Sequence, residues 1–344
     1  MKRTAFDPSI FYSRQEALRE IGHEGQMRLK RSTAAIIGLG GLGSVSATYL
    51  ALAGVGHLRL VDQDTVELHN LHRQMLYAFE DLRLPKAEKA ATRLSASNPD
   101  ISVEAIPENL REDNVDRIVQ GADIVLDGLD NMRTRYVLNK ACFRHRIPYV
   151  FGGAIAMEGN VAVFNPPETP CLECVLPNVD DATLPGCDTR GVLGATAGIV
   201  GSIQAMEALK KLSGVRMGLG GKLLVCDFTG MDFDKIEVFR NPACKTCGQP
   251  TEAKPASGKL TWLCGGDTVN INPERDTTLD LERTRLLLEN HFHVLARSAW
   301  VLVFKMNGHE VSLFRNGRAL VKGCKTENEA IHTYERVMSL LGSA

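Results

Sequence analysis

TAAIIGLGGLGS, residues 33–44, is an apolar run ending in glycines; VSATYLALAGVG, residues 45–56, follows with helical character, and HLRLVDQD, residues 57–64, reads as a second strand. Strand, glycine turn, helix and strand in that order make a βαβ unit. From Thr33 to His57 there is no charged residue, a length sufficient to span a bilayer. Gly38, Gly40, Gly41, Gly43, Gly54 and Gly56 argue against a membrane helix, since each weakens a helix by about 1 kcal/mol relative to alanine. The same glycines suit a strand–turn–helix unit.

The alternation continues downstream. Helix PKAEKAATRLSASN (85–98), strand ISVEAIPE (101–108), helix REDNVDRIVQG (111–121), strand ADIVLDGLD (122–130) and helix NMRTRYVLNKACFRHR (131–146) succeed one another. This pattern predicts an α/β fold, a doubly wound, mainly parallel Rossmann-like sheet covered on both faces. Residues 11–30 read as helical segments around Gly22 and Gly25, and residues 147–166 as two strands. Residues 166–190 form a long Pro-, Asp- and Thr-rich loop, and loops of that length usually carry function. A helix ending at Gly214 and strands at 223–230 and 235–240 close the first domain, residues 1–252. After the linker TEAKPASGK, residues 253–344 read as a small α+β domain: a strand, a helix over 279–292, three strands around 300–323 and a helix over 328–342.

Charge limits the partners. The chain has 344 residues with 40 basic and 41 acidic side chains, a net charge of -1, and no long block of one sign. Neither nucleic acid nor a membrane is therefore an expected partner. Nine cysteines in this length are too sparse for a disulfide scaffold. The start MKRTAFDPSI has no apolar signal-peptide core, so a cytoplasmic location with reduced thiols is expected.

Gly38, Gly40, Gly41 and Gly43 directly follow a strand and open a helix, where glycines let backbone approach phosphates and the helix start offers unpaired N–H groups. About twenty residues on, at the end of the next strand, Asp62 and Asp64 can accept hydrogen bonds from ribose hydroxyls. A nicotinamide enzyme shares these features. The cluster Asn70, Arg73, Gln74 and Lys86 adds donors for a polyphosphate, and Asp130 in GLDN adds a magnesium ligand, pointing to ATP with Mg2+. Cys171 and Cys174 in CLEC, with Cys244 and Cys247 in CKTC, supply four thiolates for a closed tetrahedral Zn2+ site that would staple the long loop to the end of the domain. Cys187 stands alone in LPGCDTRGVLG near a helix start, a candidate nucleophile as against a dispensable loop thiol.

With these residues in place, the chain resembles the ubiquitin-activating-enzyme-like adenylyltransferases (ThiF/MoeB/HesA type) that activate sulfur-carrier proteins. The resemblance covers about residues 11–250 and is carried by Arg14-Gln15, GLGGLGS, VDQDTVELHNLHRQ, Pro85-Lys86, LDGLDNMRTR, CLEC, CDTRGVLG and PACKTCG, in the family's order. It implies ATP-dependent adenylation of the C-terminal Gly-Gly carboxylate of a small ubiquitin-like sulfur carrier, in a thiamine, molybdopterin or tRNA thiolation pathway. It implies Gly38, Gly40, Gly41 and Gly43 around the nucleotide, Asp62 on ribose, Asn70, Arg73 and Lys86 on phosphates, and Asp130 on magnesium. Arg14 is implied to reach the neighbouring subunit's ATP, which makes a homodimer the functional unit. The tail lacks the reactive-cysteine loop of the rhodanese domain found on some relatives, so a separate sulfur donor protein is expected. Departures from the family are His69, where serine is common, and Arg83-Leu84, which replace a frequent glycine-containing pair. The competing classes are a non-catalytic ubiquitin-like-protein binding module, argued against by intact Arg14, Arg73, Lys86 and Asp130, and an NAD-dependent oxidoreductase, disfavoured by the GLDN aspartate and the cysteine quartet.

Overall fold

The computed structural model describes residues 6–183, 190–248, 260–262, 267–273 and 277–342. Two compact units divide the chain: Met1–Asp64 with Leu68–Glu80 and Lys86–Pro255, and Thr65–Glu67 with Asp81–Pro85 and Ala256–Ala344. The boundary expected at residue 252 falls outside the described residues.

The first unit opens with three short helices, α1 (Pro8–Phe11), α2 (Ser13–Glu16) and α3 (Gly22–Arg31). Then come β1 (Thr33–Ile37), α4 (Gly41–Leu52), β2 (His57–Val61), α5 (Lys86–Ser97), β3 (Ser102–Ile106), α6 (Val115–Val119), β4 (Ile124–Asp127), α7 (Met132–His145), β5 (Tyr149–Ile155) and β6 (Glu158–Phe164). It continues with α8 (Leu172–Val175), α9 (Gly194–Ser213), β7 (Lys222–Asp227) and β8 (Asp232–Glu237). The eight strands lie in the order β3-β2-β1-β4-β5-β6-β7-β8. From β3 to β5 neighbours are parallel, and from β5 to β8 they are antiparallel. Consecutive strands step outward from β1 to β3 and then resume on its other side with β4, so the order reverses between β1 and β4, where doubly wound sheets hold their ligands.

The central strands are buried on both faces, β4 along its whole length, as crossover helices on each side require. One face carries a core of Ile37, Val61, Val125, Leu138 and Tyr149 with α6 and α7; the other is covered by α4 and α9, which pack on each other. Two expectations shift. The helix expected over 111–121 forms only at Val115–Val119, because the Asn114 side chain accepts from the Arg111 N–H and ties residues 109–114 into a polar turn. The helix expected from residue 45 begins at Gly41, so half of the glycine run lies in its first turn.

The second unit adds β9 (Leu260–Trp262), β10 (Thr268–Ile271), α10 (Leu281–Leu288), β11 (His293–Arg297), β12 (Val301–Met306), β13 (His309–Phe314), β14 (Ala319–Lys322) and α11 (Glu327–Gly342). Its antiparallel sheet has the order β11-β12-β13-β14-β10-β9. Leu288 from α10 and Ala330 and Val337 from α11 complete a core with Phe304, Val311 and Leu313. Two strands, β9 and β10, stand before α10 where one was expected, and strand β11 was not anticipated; its alternation is broken by a register shift between Val294 and Ala296. Among the described residues no helix is long and apolar enough to cross a membrane.

The turn after β1 shows why glycine is required there. A Cβ on Gly43 would lie 1.8 Å from the Gly38 carbonyl oxygen, and one on Gly128 would lie 2.3 Å from the same atom. Backbone cannot move aside as a flexible side chain could, so Gly43→Ala should destabilise the fold by about 3 kcal/mol or more. A lowered urea midpoint at unchanged slope would record this, and a wild-type midpoint would refute it.

Candidate functional site

At the reversal point β1 ends at Ile37 and β4 at Asp127, and the two following turns touch. Gly38 has φ +88°, in the left-handed region, and a Cβ there would meet the Gly128 carbonyl at 2.5 Å. The Asp62 side chain, at the end of β2, holds this turn: its Oδ2 accepts from the Leu39 N–H at 2.7 Å and its Oδ1 from the Asp64 N–H at 2.7 Å. Each carboxylate oxygen keeps a second lone pair, so acceptance from a ribose hydroxyl is compatible with the anchoring. Burial pushes the Asp62 carboxyl up to about 6, against the lowering effect of the Lys86 charge.

Lys86 begins α5, and its Nζ lies 3.0 Å from Asp64 Oδ2 with the side chain 6% exposed. Burial works against this ammonium, but Asp64, Asp62 and Asp130 outweigh it and hold the pKa above the ordinary lysine value. A permanent positive charge therefore sits at the carboxyl ends of the parallel strands. Asp64 Oδ1 and Gln74 Oε1 are buried and lack a hydrogen-bond partner. Such atoms cost free energy unless paired. Both accept hydrogen bonds, so they suit hydroxyl or amine donors of a nucleoside and not phosphate oxygens.

Asn70 is buried in the 3-10 turn Leu68–Asn70, and its carbonyl accepts from the N–H groups of Arg73 and Gln74, both at 3.1 Å. Arg73 is half-buried; its Nη1 donates to the His69 carbonyl at 2.8 Å and lies 2.9 Å from His72 Nε2. A Cβ on Gly40 would stand 3.8 Å from Gln74 Nε2, which puts this segment beside the glycine turn. Asp130 is exposed just beyond β4, with Oδ1 accepting from Asn131 Nδ2 at 3.1 Å, and its charge reaches Lys86 and Arg135. The structure thus gathers the glycines, Asp62, Asp64, Gln74, Lys86 and Asp130 at one end of the sheet. Arg14 stands exposed on α2. Cys187 lies outside the described residues.

A buried network under the Gly128–Asp130 turn has no counterpart among the expected site residues. Asp127 Oδ2 accepts from the Tyr149 hydroxyl at 2.5 Å and lies 3.1 Å from Arg135 Nε, while its Oδ1 accepts from the Leu129 N–H at 2.8 Å. Arg135 Nη2 donates to the carbonyls of Leu129 and Gly152, and Gln204 Nε2 donates to those of Asp127 and Val150. Burial raises the Asp127 carboxyl, and Arg135 and Tyr149 oppose that. The visible sign was the acidic end of the apolar strand IVLD and the arginine in MRTR; the distant Tyr149 and Gln204 gave none.

Cys171 is the N-cap of α8 and Cys174 lies within it, and Cys244 and Cys247 share one turn. The Sγ atoms of Cys171 and Cys244 are 3.6 Å apart, those of Cys174 and Cys247 3.3 Å apart, and all four lie within 4.8 Å of one another. A tetrahedron with zinc–sulfur bonds of about 2.3 Å has edges of about 3.8 Å, so the donor set fits that ion. The Asn241 N–H donates to Cys174 Sγ at 3.4 Å, as outer hydrogen bonds to thiolate ligands do. Burial pushes the Cys171 thiol far up and Cys247 to about 12, whereas backbone donors outweigh burial at Cys244 and lower it.

Comparison with known proteins adds sequence relatives and fold neighbours. The profile of the ThiF family matches residues 12–246. The "Sulfur carrier protein adenylyltransferase" of Thermus thermophilus is 43% identical over 248 residues, 70% of this chain and 92% of that one. The "SAMP-activating enzyme E1" of Haloferax volcanii is 42% identical, over 69% of this chain and 88% of its own. "Adenylyltransferase and sulfurtransferase MOCS3" of Culex quinquefasciatus is 41% identical over 69% of this chain but only 54% of its own length. Among solved structures, E. coli MccB with MccA-N7isoASN superposes with a TM-score of 0.63 at 24% identity, covering 70% of this chain and 77% of that one; this likeness concerns the fold.

The geometry around Asp62 sets a titration. Its folded pKa of about 6 exceeds the ordinary aspartate value of about 3.9. Between those values the folded chain keeps a proton that the unfolded chain has lost, so the Asp62 contribution to stability falls as pH rises from about 4 to about 6. Carbon-13 NMR of labelled aspartates should place the Asp62 midpoint near the upper value, and Lys86→Met, which removes the opposing charge, should move it higher. A midpoint in the ordinary aspartate range, or a downward move in the variant, would contradict the arrangement.

Proposed function

The chain belongs to the ThiF family, and on that premise we propose that it adenylates the C-terminal Gly-Gly carboxylate of a small ubiquitin-like sulfur-carrier protein at the expense of ATP. The observation that carries this reading is the buried, charged Lys86 beside the glycine turn and two unpaired nucleoside-type acceptors, Asp64 Oδ1 and Gln74 Oε1. It is supported by the Thermus thermophilus relative, whose name specifies sulfur-carrier adenylation and which is matched over 92% of its length.

The carrier carboxylate, with a reference pKa of about 3.5, is ionised near neutral pH and needs no general base. Its oxygen attacks the α-phosphorus; the bond to the bridging β-phosphate oxygen breaks, leaving an acyl-adenylate and pyrophosphate. Two anions approach and a third departs, so the work falls on positioning and charge neutralisation. In this reading the turn of Gly38, Gly40, Gly41 and Gly43 admits the nucleotide. Asp62, Asp64 and Gln74 take its hydroxyl and amine donors. Asn70, Arg73 and Lys86 bind the phosphates, with Arg73 released from its carbonyl partner. Asp130 would hold Mg2+, which when bound neutralises phosphate charge. The exposed Arg14 would serve the site of a second copy in a homodimer. A sulfur donor protein would complete the pathway, in the cytoplasm, with Cys187 as the candidate acceptor thiol for the acyl group.

Zn2+ held by Cys171, Cys174, Cys244 and Cys247 has a structural role in this reading: four thiolates leave no position for water, and the ion ties the segment at Cys171 to that at Cys244.

Two outcomes are expected. Asp130→Ala and Arg73→Ala should each lower carrier-dependent ATP–pyrophosphate exchange by about a hundredfold or more while circular dichroism stays native; wild-type exchange in either would overturn the assignment. Elemental analysis should find tightly held zinc that Cys244→Ser removes together with several degrees of melting temperature, and a zinc-free, fully active protein would exclude the staple.

A further inference from the structure

The second unit contains a cluster that adenylation does not use. His309 is the first residue of β13, immediately after the turn Asn307-Gly308, whose φ values of 49° and 87° form a tight hairpin. Cys324 follows β14 after Gly323, itself at φ 85°. Glu329 lies in the first turn of α11. His309 Nδ1 and Cys324 Sγ are 3.7 Å apart, and with a Glu329 carboxylate oxygen these atoms lie within 4.8 Å of one another.

The start of β13, the connection after β14 and the first turn of α11 thus bring one nitrogen, one sulfur and one oxygen close together. A tetrahedral ion with bonds of about 2.05 Å to nitrogen and 2.3 Å to sulfur would set those two donors about 3.6 Å apart, close to the observed spacing. The spacing is shared with the cysteine quartet. The residue between β14 and Cys324 is glycine, and a Cβ there would come within 3.8 Å of His309 Nδ1, so the chain passes alongside the ring. Glu329 Oε2 accepts from the Lys325 N–H at 2.8 Å, which orients the carboxylate as outer hydrogen bonds orient ligands. Cys324 is buried, His309 half-buried and Glu329 exposed, so an ion has a route from solvent on the glutamate side.

We propose that His309, Cys324 and Glu329 form a second metal site, selective for a zinc-class divalent cation, that clips the start of α11 to the ends of β13 and β14. Binding exchanges the thiol proton, released to solvent, for a metal–sulfur bond. Thiolate and carboxylate then balance the two positive charges, and neutral imidazole completes three protein ligands. A fourth position is left for water. Mixed nitrogen, sulfur and oxygen donors favour Zn2+ or Co2+ over Mg2+ or Ca2+, which prefer all-oxygen shells.

The test adds CoCl2 to the full-length protein as purified, after dialysis that leaves the tightly held metal in place. One further equivalent of Co2+ is expected, with a thiolate-to-cobalt band in the near ultraviolet and visible bands of tetrahedral cobalt; ZnCl2 should displace it. Cys324→Ser and His309→Gln should abolish the near-ultraviolet band and the added equivalent. The exposed Glu329→Gln, least able to disturb folding, should weaken Co2+ affinity about tenfold or more. Absence of saturable uptake in the wild-type protein, or uptake and bands unchanged in all three variants, would overturn the proposal. A band that survives in Cys324→Ser but is lost when Cys244 is replaced would do so too, by assigning the cobalt to the cysteine quartet.

Discussion

Three backbone segments meet at the strand-order reversal of the first unit without a side chain between them. The Gly38 carbonyl lies where a Cβ on Gly43 or on Gly128 would have to be, so the turn after β1, the first turn of α4 and the turn after β4 can close only if all three are glycines. This contact brings the end of β4 against the start of α4 at the point where strand order reverses. Because α4 therefore starts at Gly41, its unpaired N–H groups open directly onto the carboxyl ends of the strands. Everything else at the site is arranged around that opening.

Charge is then held in place by two buried aspartates of different kinds. Asp62 uses both oxygens on backbone N–H groups of the turns, so it is a scaffold for the glycine loop. Asp127 is tied to Tyr149 and Arg135 below the Gly128–Asp130 turn, and removing one partner of such a buried set costs about 3–5 kcal/mol. Its place beneath Asp130 makes it a support for the Gly128–Asp130 turn. Asp64, Asp62 and Asp130 favour the charged form of Lys86 against its burial.

Much of this was legible in the chain itself. The alternation of apolar runs and helical stretches, with glycines placed after the first strand, specifies the doubly wound sheet, because periodicity and glycine sterics are local properties. The two CxxC pairs are legible for the same reason: within each pair the spacing alone sets the thiols near one another. Strand β11 and the shortened α6 were not, since both depend on neighbours: a register shift against β12 in one case, a polar turn around Asn114 in the other. Arg83, at φ 69°, is a left-handed residue that only the backbone could place.

The sequence by itself determined the fold class, the nucleotide-type loop and the identity of the acidic and basic residues around it, because these follow from side-chain period, propensity and short-range spacing. Tertiary structure alone decided that Tyr149 and Gln204 serve Asp127, that Cys171 and Cys244 lie 3.6 Å apart, and that His309, Cys324 and Glu329 converge. Each of those contacts joins residues on different elements, and the distance between elements is fixed by packing and register, which no local pattern encodes.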